Sequence, residues 1–184
     1  MGANWRSDAS ALIVTAELGK ADFAWLDALR RHHYPAGRNR VPAHLTLFRT
    51  LPPSAEEEVR RSLSRVAAEP APDAETCSVM DLDTGVALRV ESAGLTAIRD
   101  DLAAEFRGLL TAQDQGPWTP HVTIQNKVQP DVARALLQSM RADFEPRPIE
   151  ITGLQIIRYV EGEWQPVARY GFRGPRSARR RRRS

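Results

Sequence analysis

Two short stretches, Pro42-Ala43-His44-Leu45-Thr46-Leu47 and Pro120-His121-Val122-Thr123-Ile124, carry one pattern: His, any residue, Thr, then an aliphatic residue. Polar and apolar residues alternate, as in a half-buried strand whose successive side chains point to opposite faces. His44 and Thr46 therefore share one face, with Leu45 and Leu47 on the other; His121 and Thr123 oppose Val122 and Ile124 in the same way. The aliphatic face can enter a core. The polar face has to meet a cleft, because burying an imidazole and a hydroxyl without partners is costly.

Working outward from the motifs, the order of elements repeats. The first half reads as a strand over 11–18 and a helix over 21–34 with Phe23, Leu26 and Leu29 on its apolar side. A proline-bearing loop, the His44 strand over 44–51 and a helix over 54–68 follow, the helix opened by the capping-box pattern Ser54-Ala55-Glu56-Glu57. Strands at 75–82 and 86–91 flank the turn Asp83-Thr84-Gly85. The second half adds a helix over 95–110, a loop at 115–120, the His121 strand over 121–128, a helix over 131–140 and strands near 149–159 and 164–172. The order β-α-β-α-β, then β-α-β-α-β-β, is one unit used twice. The expected fold is α+β and bilobal. A pseudo-twofold duplicated unit would build two mainly antiparallel sheets, flanked by helices around a central cleft. Residues 1–172 are expected to form a single domain, and 173–184 a disordered Arg-rich tail without an apolar anchor.

The length of 184 residues suits one domain. A hydrophobic fraction of 42% and a charged fraction of 27% are ordinary globular values, which argues against a mainly disordered chain. The net charge of +3 is unevenly spread. The last twelve residues hold seven Arg and no acid, leaving 19 basic against 23 acidic residues in 1–172. The body is thus mildly acidic and offers no broad basic surface to duplex nucleic acid, so a few placed groups have to meet any substrate phosphate. The tail is a candidate for salt-dependent nucleic-acid affinity. The single cysteine, Cys77, excludes an internal disulfide and a Cys/His metal cluster. No signal-peptide pattern or membrane-length apolar run is present, so a cytoplasmic protein without a membrane partner is expected. A monomer is expected too, since the repeat supplies its own twofold.

Two histidines facing one another across a cleft suit concerted acid–base catalysis. Imidazole titrates near neutrality, so one ring can take a proton from an attacking water while the other gives one to a leaving oxygen. A Thr hydroxyl two residues from each His can donate to non-bridging phosphate oxygens. The set suits a phosphodiester and calls for no metal or other cofactor.

With one His-x-Thr-aliphatic motif per half, the chain resembles the two-histidine phosphoesterase superfamily, in particular its 2′-5′ RNA ligase-like branch, over roughly residues 10–172. The resemblance implies a bilobal α+β fold with both motifs facing a central cleft. It also implies metal-independent chemistry on 2′,3′-cyclic phosphates or 2′-5′ linkages. His121 would then activate water, His44 would protonate the leaving oxygen, and Thr46 and Thr123 would hold the phosphate. The expected activity is a cyclic phosphodiesterase acting on RNA 2′,3′-cyclic phosphate ends, with reversible 2′-5′ ligation as a further capacity. The alternatives are a phosphodiesterase of small cyclic phosphates or 2′-5′ oligonucleotides, and a non-catalytic module that binds RNA ends.

Other residues are candidates for substrate contact. Phe48 shares the His44 face by alternation, and Trp118 lies just before His121, so both are candidates to stack on a base. Arg40 precedes the first motif. Related sequences often carry Arg five residues after the second His, where this chain has Asn126; alternation puts Lys127 on the His121 face instead. The first motif has Arg49 at that offset.

Overall fold

Twelve elements fill the part of the chain that the computed structural model describes, residues 11–161 and 163–173. The first half runs β1 (Leu12–Leu18), α1 (Lys20–His33), β2 (Leu45–Leu51), α2 (Glu56–Val66) and β3 (Asp73–Asp81). The second runs β4 (Val86–Glu91), α3 (Ala93–Glu105), a one-turn α4 (Ala112–Gln115), β5 (His121–Gln125), α5 (Pro130–Ala142), β6 (Arg147–Val160) and β7 (Glu163–Gly171). The expected repeat order is present, with α4 added where a loop was expected. Arg173 donates its backbone N–H to the Ala67 carbonyl. The rest of the Arg-rich tail lies outside the described residues.

All strand pairings are antiparallel. They run β1-β2-β5-β4-β3-β6, and β6 closes back on β1 while β7 pairs on the outside of β6. The two expected sheets, β2-β1-β6-β7 and β5-β4-β3, are thus hydrogen-bonded to one another as a ring. Mapping one half onto the other in sequence order, β1 to β4, β2 to β5 and β3 to β6, reproduces every pairing in the ring. The β2–β5 and β3–β6 contacts map onto themselves and lie on the pseudo-twofold. Each sheet takes its first two strands from one half and its third from the other, so neither half completes a sheet alone.

Leu12, Val14, Leu45, Leu51, Leu88, Val122, Ile124, Leu154 and Ile156 from the strands are buried against Leu26, Leu63, Leu95, Leu102 and Leu137 from the helices. At about 1.5–3 kcal/mol for each buried aliphatic side chain, this joint core favours the two halves staying together. Ser92 caps α3, its Oγ accepting from the Leu95 N–H at 3.1 Å and donating to the Asp73 carbonyl at 2.6 Å. The expected Ser54 capping box is not made. Residues Pro53–Ala55 form a 3-10 turn instead, and α2 begins after it without a side-chain cap. Phe23 departs from its expected buried place and is 38% exposed, because Asp22, Leu26 and Arg30 form the buried stripe of α1. No helix among the described residues is long and apolar enough to cross a membrane.

Candidate active site

The two motifs meet at equivalent positions. Leu45 of β2 pairs with Val122 of β5, each the residue directly after its histidine. Their side chains are fully buried, while His44, Thr46, His121 and Thr123 are half-buried on the opposite face. All four line one cleft of about 850 Å³. The expectation that the motifs share a cleft is therefore met.

The imidazoles are held alike. His44 Nδ1 is 2.7 Å from the Pro42 carbonyl and His121 Nδ1 is 2.8 Å from the Thr119 carbonyl, each two residues upstream. A carbonyl can only accept, so Nδ1 carries the proton in both rings and Nε2 is left for the cleft. Burial pushes the His44 imidazole down to about 4; the neighbouring positive charges of Arg30 and His121 act the same way, and the Pro42 carbonyl opposes them. His44 is thus unprotonated at Nε2 at neutral pH. Neither Thr46 nor Thr123 has its hydroxyl hydrogen-bonded among the described residues. Their carbonyls are taken, by Trp118 Nε1 at 3.0 Å and by Arg30 Nη1 at 2.8 Å.

Two buried arginines fasten the motif strands across the halves. Arg30 of α1 donates to Thr123 of β5, and its Nε reaches Asn39 Oδ1 at 2.9 Å and the Val41 carbonyl at 3.1 Å in the loop before His44. Arg99 of α3 reaches the other way, with Nε 3.0 Å from the Leu47 carbonyl of β2 and Nη2 on the Asp114 carbonyl. The Asp114 carboxylate accepts from the N–H groups of Arg49, at 3.0 and 3.2 Å, and Thr50, at 3.1 Å. Beyond Leu45, β2 has no further paired residue on β5. Arg99 and Asp114 supply the partners that its buried backbone groups require.

This fastening explains why Phe48 is not a cleft residue. In the β1–β2 ladder Thr15 faces Thr46 but Val14 faces Phe48, so Leu47 is an extra residue in β2. The bulge flips the alternation. Phe48 turns into the core, fully buried, with its ring 5.6 Å from Phe106 and beneath Arg99. Arg49 emerges on the cleft wall in its place, exposed and without an ion pair among the described residues.

Lys127 also leaves the expected face. The β3–β4 turn packs so closely on the end of β5 that a Cβ on Gly85 would lie 2.0 Å from the Gln125 carbonyl. β5 stops at Gln125, and Lys127 takes a left-handed conformation, φ 62°, in the following turn. Asn126 lines the cleft and Lys127 does not. Arg40 is exposed outside the cleft as well. Trp118 stands on the cleft wall, half-buried, as its position before His121 suggested.

Sequence reasoning passed over Trp164. This residue is the second of β7 and lies against His44, with ring centroids 4.3 Å apart and planes tilted by 49°. No local pattern marks it, since only the β6–β7 hairpin brings it there. Arg49 had a signal, its offset from His44, but strand alternation pointed away from it. Among the described residues no group of three or more His, Cys, Asp or Glu is placed to hold a metal ion.

Residues 19–163 match the family described as the 2'-5' RNA ligase superfamily. No curated protein matches the chain in sequence. Among solved structures, the chain is similar to TT0787 of Thermus thermophilus, with 18% identity and a TM-score of 0.64 over 89% of this chain and 98% of that one. It is also similar to E. coli LigT complexed with NADP+, at 17% identity and a TM-score of 0.57, again over 89% and 98% of the two chains. LigT complexed with 3'-AMP gives 18% identity and a TM-score of 0.57 over the same shares. At such identities the likeness establishes the fold.

Proposed function

From the premise that the chain belongs to the 2'-5' RNA ligase superfamily of two-histidine phosphoesterases, we propose that it hydrolyses 2′,3′-cyclic phosphate ends of RNA by paired-imidazole catalysis. One observation carries this reading. Two imidazoles, each anchored through Nδ1 to the carbonyl two residues upstream, stand on either side of the Leu45–Val122 pair with their Nε2 atoms unengaged among the described residues.

In the proposed reaction water is positioned at one Nε2, which takes its proton as the oxygen attacks phosphorus. The bond from phosphorus to the ribose 2′ or 3′ oxygen breaks, and the second ring, which enters as the imidazolium with protons on both nitrogens, gives that oxygen the proton of its Nε2 and becomes neutral. The products are one phosphomonoester and one free hydroxyl. Thr46 and Thr123 donate to the non-bridging oxygens, whose charge grows in the transition state. Arg49 adds a cation at the cleft wall. Family resemblance implies that His121 is the base. The depressed His44 pKa favours the opposite assignment, because a ring that is unprotonated at neutral pH has no proton to give the leaving oxygen and is free to take one from water. A nucleotide-sized substrate fits a cleft of about 850 Å³ and accords with LigT being complexed with 3'-AMP.

The test is hydrolysis of nucleoside 2′,3′-cyclic monophosphates and of a short RNA with a cyclic end, in EDTA. The expected outcome is activity that falls about 10²–10⁴-fold in His44→Ala and in His121→Ala. Absence of wild-type activity on both substrates would overturn the proposal.

A further inference from the structure

The two imidazoles are held alike but not surrounded alike. Each rests its Nδ1 on the carbonyl two residues upstream, and each stands beside the Leu45–Val122 pair at an equivalent place in the repeat. The difference comes from the strand outside that repeat. Strands β1–β3 correspond to β4–β6, and β7 has no counterpart among the described residues. Its second residue, Trp164, packs on His44 with ring centroids 4.3 Å apart. Among the described residues no aromatic ring is packed on His121. His44 and Trp164 both border the cleft and an adjoining groove of about 520 Å³, so without the indole the imidazole would meet solvent from two sides.

An indole against an imidazole acts in a definite sense. It displaces water that an imidazolium needs and a neutral ring does not, so it favours the neutral form. Attraction of a cation to the indole face acts the other way. The planes are tilted by 49°, however, and the net result at His44 is downward, to about 4, with burial as the largest cause. The charged groups around the ring come from several elements. Arg30 of α1 and His121 of β5 disfavour a further positive charge at His44. Glu17 of β1 is paired with Arg169 of β7, and Asp27 of α1 with Arg31. Lys20 borders the groove, while Arg49, Arg99, Asp81, Asp83 and Asp114 line the cleft. None of these groups is altered by substitution at position 164, so such a variant isolates the indole.

We infer that Trp164 is a positioning residue of the histidine pair, whose contact with one ring and not the other makes His44 the proton acceptor and leaves His121 as the donor. The inference rests on the paired-histidine reading. In the forward step His44 Nε2 takes a proton from water as its oxygen bonds to phosphorus. The phosphorus–ester bond breaks, and His121 gives its Nε2 proton to the departing oxygen. The duplicated motifs alone would leave these roles interchangeable. The added strand β7 makes them unequal and so fixes the side of phosphorus from which water attacks.

Proton–carbon NMR titration of the imidazole rings tests this without any substrate, the His44 signal being identified by its loss in His44→Asn. The His44 midpoint is expected at about 4 in the wild type, and about one pH unit or more higher in Trp164→Ala. Trp164→Phe keeps a ring and should stay within about half a pH unit of the wild type. Trp164→Thr keeps strand propensity and should match Trp164→Ala, which covers the case in which Ala loosens the hairpin. With a nucleoside 2′,3′-cyclic phosphate, the acid limb of kcat/KM should move up with the midpoint in the same variants. An unchanged or lower His44 midpoint, an equal rise at His121, an activity loss that is the same at every pH, or collapse of the folded spectrum in both the Ala and Thr variants would overturn the inference. The titration and the EDTA hydrolysis assay fail separately. A raised midpoint in a protein without activity keeps the hold of Trp164 on His44 and removes the phosphodiesterase; an active protein with an unmoved midpoint does the reverse.

Discussion

Leu45 and Val122 form the one ladder pair between β2 and β5, and the two strands run antiparallel. One step further along each strand therefore sets His44 across from Thr123, and Thr46 across from His121. Each histidine faces the threonine of the other half. A phosphate lying between the imidazoles would be met by one hydroxyl from each motif. The duplicated chain thereby presents a nearly symmetric cradle to a group whose attacking and leaving sides are themselves nearly symmetric.

Because the two hydroxyls occupy equivalent corners, Thr46→Val and Thr123→Val are each expected to lower kcat about 10²–10³-fold, as the loss of one transition-state donor does. Thr→Ser at either position should retain most activity. Steady-state kinetics on a nucleoside 2′,3′-cyclic phosphate reads this directly; a loss confined to one threonine would contradict the cradle.

The histidine roles are open to a pH profile. With His44 as base, the acid limb of kcat/KM should fall well below the ordinary imidazole value of 6.5 and vanish from the residual activity of His44→Ala. The alkaline limb should vanish in His121→Ala. An exchange of these limbs between the two variants would restore His121 as the base. The same group affects stability. The unfolded chain binds this proton at higher pH than the folded one, so stability should decline as pH falls from about 6.5 toward about 4 and level off below that. His44→Asn, followed by urea titration across that window, should flatten the slope.

Arg49, and neither Lys127 nor Arg40, stands on the cleft wall. Arg49→Ala is expected to raise KM for a cyclic phosphate about ten- to a hundredfold, matching the ~1.5–3 kcal/mol of a hydrogen bond to a charged group. Lys127→Ala and Arg40→Ala should stay within about twofold of wild type, since surface charges outside the cleft contribute little.

Asp114 holds the β2 bulge by accepting from two backbone N–H groups. Its replacement by Ala should cost about 2–6 kcal/mol of stability in denaturant titration, at ~1–3 kcal/mol for each of the two donors left without a partner. Arg49 should also lose its place, so KM should rise in the folded variant. A fully stable variant with wild-type KM would show that the bulge holds itself.

By itself the sequence determined the duplicated order of elements, the strand character of both motifs and the pairing of His with Thr on one face. These are local properties, set by a two-residue period and by the apolar residues between the polar ones. It also indicated Trp118, whose place next to His121 in the chain carries it to the cleft. Tertiary structure alone decided the remainder, because those outcomes depend on contacts distant in sequence. Arg99 and Asp114 hold a bulge that exchanges Phe48 for Arg49. The close approach of Gly85 accompanies the end of β5 before Lys127. The β6–β7 hairpin lays Trp164 on His44 across 120 residues of chain. Alternation predicts a face only while the pleat is unbroken, and in both motif strands the break is made by residues from elsewhere in the fold.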